Sequence, residues 1–276
     1  MAAEAPVATR GELLAGAAAR LAAAGCDTPR LDAELLLAGA AALDRAALVA
    51  GALEPVGADA ASRLESLLAR REAREPVAYI LGRRGFRHLD LAVDERVLIP
   101  RPETELLVEA AVELPAGARV ADVGTGSGAV ALALAQERPD LAVTGLDASG
   151  GALAVARANA LRLGLRAEFV MADLLAGAPG PWDAVVANLP YVDAADWDGL
   201  APEITRWEPR EALVAGAAGL ALIRRLIAQL GETPFTALEV GAQQAPAVAA
   251  TLAATGRRVQ TLQDLAGIER VVVGRR

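Results

Sequence analysis

The chain has 276 residues, is 54% hydrophobic and carries a net charge of −8, which allows two domains and argues against a broad nucleic-acid surface. One Cys and one His exclude a disulfide framework and argue against a metal site built from those residues; all 27 basic residues are Arg, which excludes a lysine nucleophile. No apolar run approaches the roughly 18 to 20 uncharged residues a membrane span needs, and the Ala-rich start, with Glu4, Arg10 and Glu12, does not read as a signal peptide.

Residues 9–25 pattern as an amphipathic helix, with Leu13, Leu14, Ala17 and Leu21 at helical spacing. Thr28-Pro29 reads as a helix start with a capping hydroxyl, followed by Leu31, Leu35 and Leu36. Asp44 can cap a short helix through Leu48, and a longer helix is expected over 58–73, with Leu64, Leu67 and Leu68 inward. Residues 1–80 therefore form a small all-helical domain without catalytic features. Over 76–98, Tyr79, Ile80, Phe86, Leu89, Leu91 and Val93 are spaced like short strands, and a hairpin linking two domains is expected at 81–98. His88 falls in its turn sequence, where a surface role is expected. Ile99 to Glu105 contains Pro102, Glu103 and Glu105, which suit the start of a helix, and forms a charged turn expected to wall a site.

From 119 onward strands and helices alternate. Strands are expected at 119–123, 141–146, 167–171, 183–187 and 236–240, with two more at 257–262 and 269–274. Helices are expected after the first strand to about 137, and at 149–163, 218–230 and 243–254. A long loop covers 192–216. This alternation indicates a parallel, doubly wound sheet over 99–276.

Gly124, Gly126 and Gly128 follow the first of these strands and open a helix, so the backbone turns tightly and approaches a ligand closely. The spacing is Gly-x-Gly-x-Gly, unlike the dinucleotide fingerprint, and no phosphate-loop Lys follows. Asp147 ends the next strand at the position where a carboxylate accepts hydrogen bonds from ribose hydroxyls, and Asp173 ends the one after, within reach of an adenine amine. These describe a nucleoside site without a strong phosphate cradle, which fits S-adenosylmethionine. The cofactor set is Gly124, Thr125, Gly126, Ser127, Gly128, Asp147, Asp173, Leu174 and Asn188.

Val185 to Ala187 run into Asn188-Leu189-Pro190-Tyr191. Pro190 has no N–H to offer a ladder, so the strand stops and presents an amide and a phenol at its C-terminal edge. The Asn188 side-chain oxygen and the Leu189 carbonyl can accept the N–H bonds of a planar nitrogen and hold it for methyl transfer, with Tyr191 against the flat group. These four residues are the candidate catalytic and substrate-binding set. No Ser-His-Asp or Cys-His set competes.

The sequence resembles the protein-(glutamine-N5) methyltransferases that act on peptide-chain release factors. The resemblance runs through Asp32-Ala33-Glu34-Leu35-Leu36, Glu75 to Gly82, Ile99 to Glu105, Asp122 to Gly128, Glu208-Pro209, Leu213, Leu238 to Gly241, Asp264 to Gly267 and Arg270-Val271. It implies a Rossmann-like class I methyltransferase sheet with a small N-terminal all-helical domain and a connecting β-hairpin. It also implies methylation of the glutamine in the Gly-Gly-Gln motif of class 1 release factors in the cytoplasm, with S-adenosylhomocysteine as product. The helical domain is expected to help hold the factor, and no membrane or direct nucleic-acid partner is expected. One departure stands out: the family usually has Asn-Pro-Pro-Tyr, and here the second residue is Leu189, with a looser loop as the expected consequence. Asn-Leu-Pro-Tyr is the form found in ribosomal RNA adenine dimethyltransferases, so an rRNA adenine N6-methyltransferase is the alternative. The helical domain, the Ile99 to Glu105 stretch and the acidic charge stand against it.

Overall fold

The computed structural model describes residues 8–216 and 219–276. The expectations for Glu4 and the rest of the first seven residues, and for a helix beginning at Ala218, lie outside them. The described residues divide into two compact units.

The first unit holds residues up to Gly82 together with Pro202–Trp207. Its helices are α1 (Arg10–Ala23), α2 (Pro29–Ala41), α3 (Arg45–Ala50), α4 (Ala58–Glu72) and α5 (Val77–Leu81). A capping box starts α1: Glu12 N–H donates to Thr9 Oγ1 at 3.3 Å and Thr9 N–H to the Glu12 carboxylate at 2.8 Å. Asp44 accepts from Ala47 N–H at 2.7 Å and starts α3. Leu14, Leu21, Leu36, Leu37, Leu48, Leu64 and Leu68 interlock as the core. Each contributes on the order of 1.5–3 kcal/mol by leaving water.

Two local expectations are corrected. Thr28 does not cap α2; its hydroxyl donates to Asp32 Oδ1 at 2.8 Å, because that carboxylate is buried beside Arg71 and draws the nearby donor. Tyr79 and Ile80 lie on α5 and not on a strand, since Pro76 supplies an extended N-cap and Gly82 a left-handed C-cap around one helical turn. The 192–216 stretch also carries more structure than a loop. Its helix α9 (Pro202–Trp207) belongs to the first unit, where Arg74 grips Glu203 with two bonds of 2.7 Å and Arg71 adds a third of 2.7 Å.

The second unit begins with the antiparallel pair β1 (Arg83–Phe86) and β2 (Leu89–Ala92), with His88 exposed in the turn between them. Pro102–Thr104 forms a short 3-10 turn that leads into α6 (Glu105–Ala111). There follow β3 (Arg119–Val123), α7 (Ala129–Glu137), β4 (Ala142–Asp147), α8 (Gly150–Leu163), β5 (Glu168–Met171) and β6 (Ala184–Ala187). The chain ends with α10 (Ala221–Gln229), β7 (Phe235–Glu239), α11 (Ala245–Ala253), β8 (Arg258–Gln263) and β9 (Glu269–Arg275).

Among the described residues the main sheet has seven strands in the order β5-β4-β3-β6-β7-β9-β8. The first five are parallel, and β9 runs antiparallel to both of its neighbours. The expectation of a parallel sheet therefore holds up to β7. The few residues between β8 and β9 are too short for a parallel crossover, so those strands close as a hairpin. The β6 residues are buried on both faces in alternation: Ala184 and Val186 join one core layer, Val185 and Ala187 the other. Strand order reverses between β3 and β6, the switch point where open α/β sheets bind ligands beyond their strand ends.

Candidate active site

A cavity of about 460 Å³ opens at the C-terminal ends of β3, β4, β5 and β6, within the usual range for small-molecule sites. Its wall includes Gly124, Gly126, Asp147, Asp173, Leu174, Asn188, Leu189 and Pro190. Thus the turn after β3 and the residues after β6, 60-odd positions apart in the chain, meet in one pocket because their strands are neighbours, with Val123 opposite Ala187.

The Gly-rich turn is shaped for close approach. Gly124 has φ +76°, and a Cβ there would stand 3.1 Å from both the Asn188 carbonyl and the Leu189 side chain. Gly128, with φ +83°, starts α7 where a Cβ would press on Leu132, Ala156 and Phe169. Thr125, Ser127 and Gly128 do not line the cavity; they brace it from behind. The Thr125 hydroxyl donates to the buried Asp122 at 2.6 Å, and the Ser127 carbonyl accepts from Asn159 at 3.0 Å. Burial pushes the Asp122 carboxyl up to about 6, with the Thr125 bond opposing the rise.

Asp147 faces the cavity at the end of β4. Its Oδ2 accepts from Gly126 N–H and its Oδ1 from Ser149 N–H, both at 2.9 Å. Burial raises its pKa, and these backbone donors counter the rise. Each oxygen keeps a lone pair for a hydroxyl. Asp173 also lines the cavity, but its carboxylate is exposed and pairs with Arg225 at 2.6 Å. Leu174 beside it is buried with φ +57°, an uncommon backbone state for a bulky residue, and it holds an apolar wall. Two carboxylates, a glycine cradle, an apolar wall and no phosphate-gripping Lys fit S-adenosylmethionine.

Asn188 sits beyond the end of β6. Its Nδ2 donates to Thr104 Oγ1 at 3.0 Å. Leu189 is 4% exposed and packs into the core layer with Val123, Leu238 and Val240. The second position of this stretch is therefore packed tightly, against the expectation of a looser loop, because Leu fills the space beside Gly124. Leu189→Pro is expected to keep the carbonyl and retain turnover within about tenfold, while losing about 1–3 kcal/mol of stability with the buried side chain. Parallel turnover and thermal-unfolding measurements check this; a folded, inactive variant would give the Leu189 N–H or side chain a direct role. Tyr191 stands outside the cavity wall. Its carbonyl accepts from Gln244 at 3.0 Å, and burial with the neighbouring Glu239 pushes its phenol up to about 12.

Several contributors have no local sequence signal. Arg96, Val97 and Leu98 line the cavity after the hairpin, and Pro209, Glu211 and Ala212 close it from the far stretch of the chain. Glu208 ties these together. It is 6% exposed, accepts from Ile99 N–H at 3.1 Å and pairs with Arg101. Thr104 and Glu239 lie behind Asn188 and Tyr191.

This strand order, with a pocket at its switch point and an Asn-x-Pro-Tyr edge, defines a Rossmann-like class I methyltransferase. A family model described as the PrmC N-terminal domain matches residues 12–82, and one described as the methyltransferase small domain matches 102–207. A release factor glutamine methyltransferase of Rhodospirillum rubrum is 43% identical, over 96% of this chain and 85% of its own. One from Cereibacter sphaeroides is also 43% identical, over 96% and 97%. The chain belongs to the release factor glutamine methyltransferase family. A solved methyltransferase from Pyrococcus furiosus shares the fold, with TM-score 0.53 at 15% identity over 78% of this chain and 98% of the other.

Proposed function

We propose that the protein methylates the side-chain amide nitrogen (N5) of the glutamine in the Gly-Gly-Gln motif of class 1 peptide-chain release factors, in the cytoplasm, using S-adenosylmethionine. The observation that carries this reading is the shared cavity, in which Asn188 stands beside the Gly124–Gly126 turn and Asp147. The cofactor supplies a methyl group on a sulfonium sulfur and leaves as S-adenosylhomocysteine. Asp147 would accept from its ribose hydroxyls, and the backbone at Gly124 and Gly126 would lie against it. An amide nitrogen is a weak nucleophile because its lone pair is delocalised. Asn188 Oδ1 and the Leu189 carbonyl accept its two N–H bonds, orient the lone pair and stabilise the positive charge that develops as the new N–C bond forms. The nitrogen gives up one proton to solvent and ends as a secondary amide.

The helical unit holds the release factor in this reading, and no nucleic acid is bound directly. Family membership and the acidic charge support a protein acceptor over an rRNA adenine. The test is to offer intact release factor and ribosomal RNA at two salt concentrations. Incorporation into the factor is expected; incorporation into RNA alone, with binding that falls steeply with salt, would overturn the proposal.

A further inference from the structure

An Asn side chain has two ends of opposite hydrogen-bonding sense and nearly the same shape, so an enzyme that needs its oxygen must fix which end faces the acceptor. Asn188 carries no such information by itself. What stands behind it does. Thr104, 5% exposed, receives Asn188 Nδ2 on its hydroxyl oxygen at 3.0 Å. The carboxyl of Glu239, 2% exposed, lies beside the same hydroxyl, which opposes the rise that burial imposes on its pKa. Sheet register places these groups together: Ala187 is opposite Leu238 in the parallel pair β6–β7, so Asn188 and Glu239 each stand one residue past the paired positions.

The direction of the chain of bonds follows from proton count. A carboxylate only accepts, and a threonine hydroxyl has one proton. With Glu239 ionised and the Thr104 proton turned towards it, Thr104 presents only lone pairs to Asn188, and the NH2 end of Asn188 satisfies them, as the 3.0 Å bond shows. A flipped amide would set oxygen against oxygen. Glu239 is costly where it stands: its Oε2 is buried without a hydrogen-bond partner, and burial pushes the carboxyl up to about 7. A buried, partly satisfied acid at the end of a central strand does nothing for the sheet that a Leu or Val would not do better.

We propose that Thr104 is a positioning residue, directed by Glu239, that turns the Asn188 Nδ2 away from the cavity and its Oδ1 towards the methyl acceptor. The inference deepens the proposed reaction and rests on it for the identity of the acceptor, but the amide orientation can be measured without turnover.

Two readouts on the full chain decide it. The first is hydrogen exchange of the Asn188 side-chain NH2, identified in a 15N spectrum by its loss in Asn188→Ala. It is expected to be protected in the wild-type protein and in Thr104→Ser, and to exchange at least about tenfold faster in Thr104→Val. The second is turnover on a release factor. Thr104→Val is expected to lower kcat by about tenfold or more, with KM for the factor and Kd for the cofactor changed by less than about threefold. Thr104→Ser restores kcat, and Thr104→Val added to Asn188→Ala costs nothing further, since Thr104 acts only through Asn188. Glu239→Gln, which offers Thr104 a donor in place of an acceptor, is expected to give an intermediate kcat; wild-type kcat there would overturn the part given to Glu239. Unchanged exchange in Thr104→Val, or an equal loss with and without Asn188, would overturn the proposal. A wild-type enzyme that leaves glutamine unmethylated would overturn the reading of the reaction instead, and the exchange measurement would still decide the orientation.

Discussion

Asn188→Ala is expected to lower kcat for glutamine methylation by on the order of a hundredfold or more, with cofactor affinity largely kept. The size follows from what is removed: an acceptor aimed at a nitrogen that becomes positive only as the bond forms, so the interaction is worth most in the transition state. Deleting one such preorganised group in other enzymes costs about 2.7–4 kcal/mol. Cofactor binding survives because the Gly124–Gly126 turn and Asp147 are positioned by β3 and β4, independently of the Asn188 side chain. Single-turnover kinetics beside calorimetric titration of S-adenosylmethionine separate the two effects. Full turnover by the variant would refute the mechanism, and an equal loss of binding and rate would make Asn188 a cofactor ligand first.

Asp147→Ala is expected to show the opposite pattern. Loss of a charged acceptor for ribose hydroxyls should weaken S-adenosylmethionine by about 1.5–3 kcal/mol, roughly 10- to 150-fold in Kd. Part of that loss is indirect, because the carboxylate also fixes Gly126 N–H and Ser149 N–H at 2.9 Å each, and the glycine turn loosens without it. Asp147→Asn keeps an acceptor for one of these amides and should fall between Ala and wild type. At saturating cofactor, kcat should recover most of its value. Calorimetry that finds unchanged affinity in Asp147→Ala would remove this residue from the site.

Much of this pocket was legible in the chain because its parts obey local rules. The Gly-x-Gly-x-Gly turn needs positive φ, which Gly124, Gly126 and Gly128 all adopt. Pro190 ends a strand, and the alternation of strands and helices implies a switch point. Other features have no local signature. Arg96 to Leu98 and Pro209, Glu211 and Ala212 reach the cavity only through the path of the chain, and Glu208 joins them by a contact that spans over a hundred residues. Thr104 reads as part of a helix start; that it receives Asn188 depends on the packing of α6 beside β6. Asp173 reads as a cavity carboxylate and lines the cavity, yet Arg225 from α10 draws its charge outward. Leu189 reads as a loosened position, but the space beside Gly124 that it fills exists only once β3 and β6 are paired.

The central claim is the atom that receives the methyl group. The most direct measurement is to incubate the protein with a class 1 release factor and isotopically labelled S-adenosylmethionine, digest the factor, and locate the label by tandem mass spectrometry. The account predicts one methyl group on the side-chain nitrogen of the Gly-Gly-Gln glutamine, absent when Asn188→Ala replaces the wild-type protein. Label elsewhere in the factor, or no label in the factor while ribosomal RNA adenine becomes methylated, would contradict it.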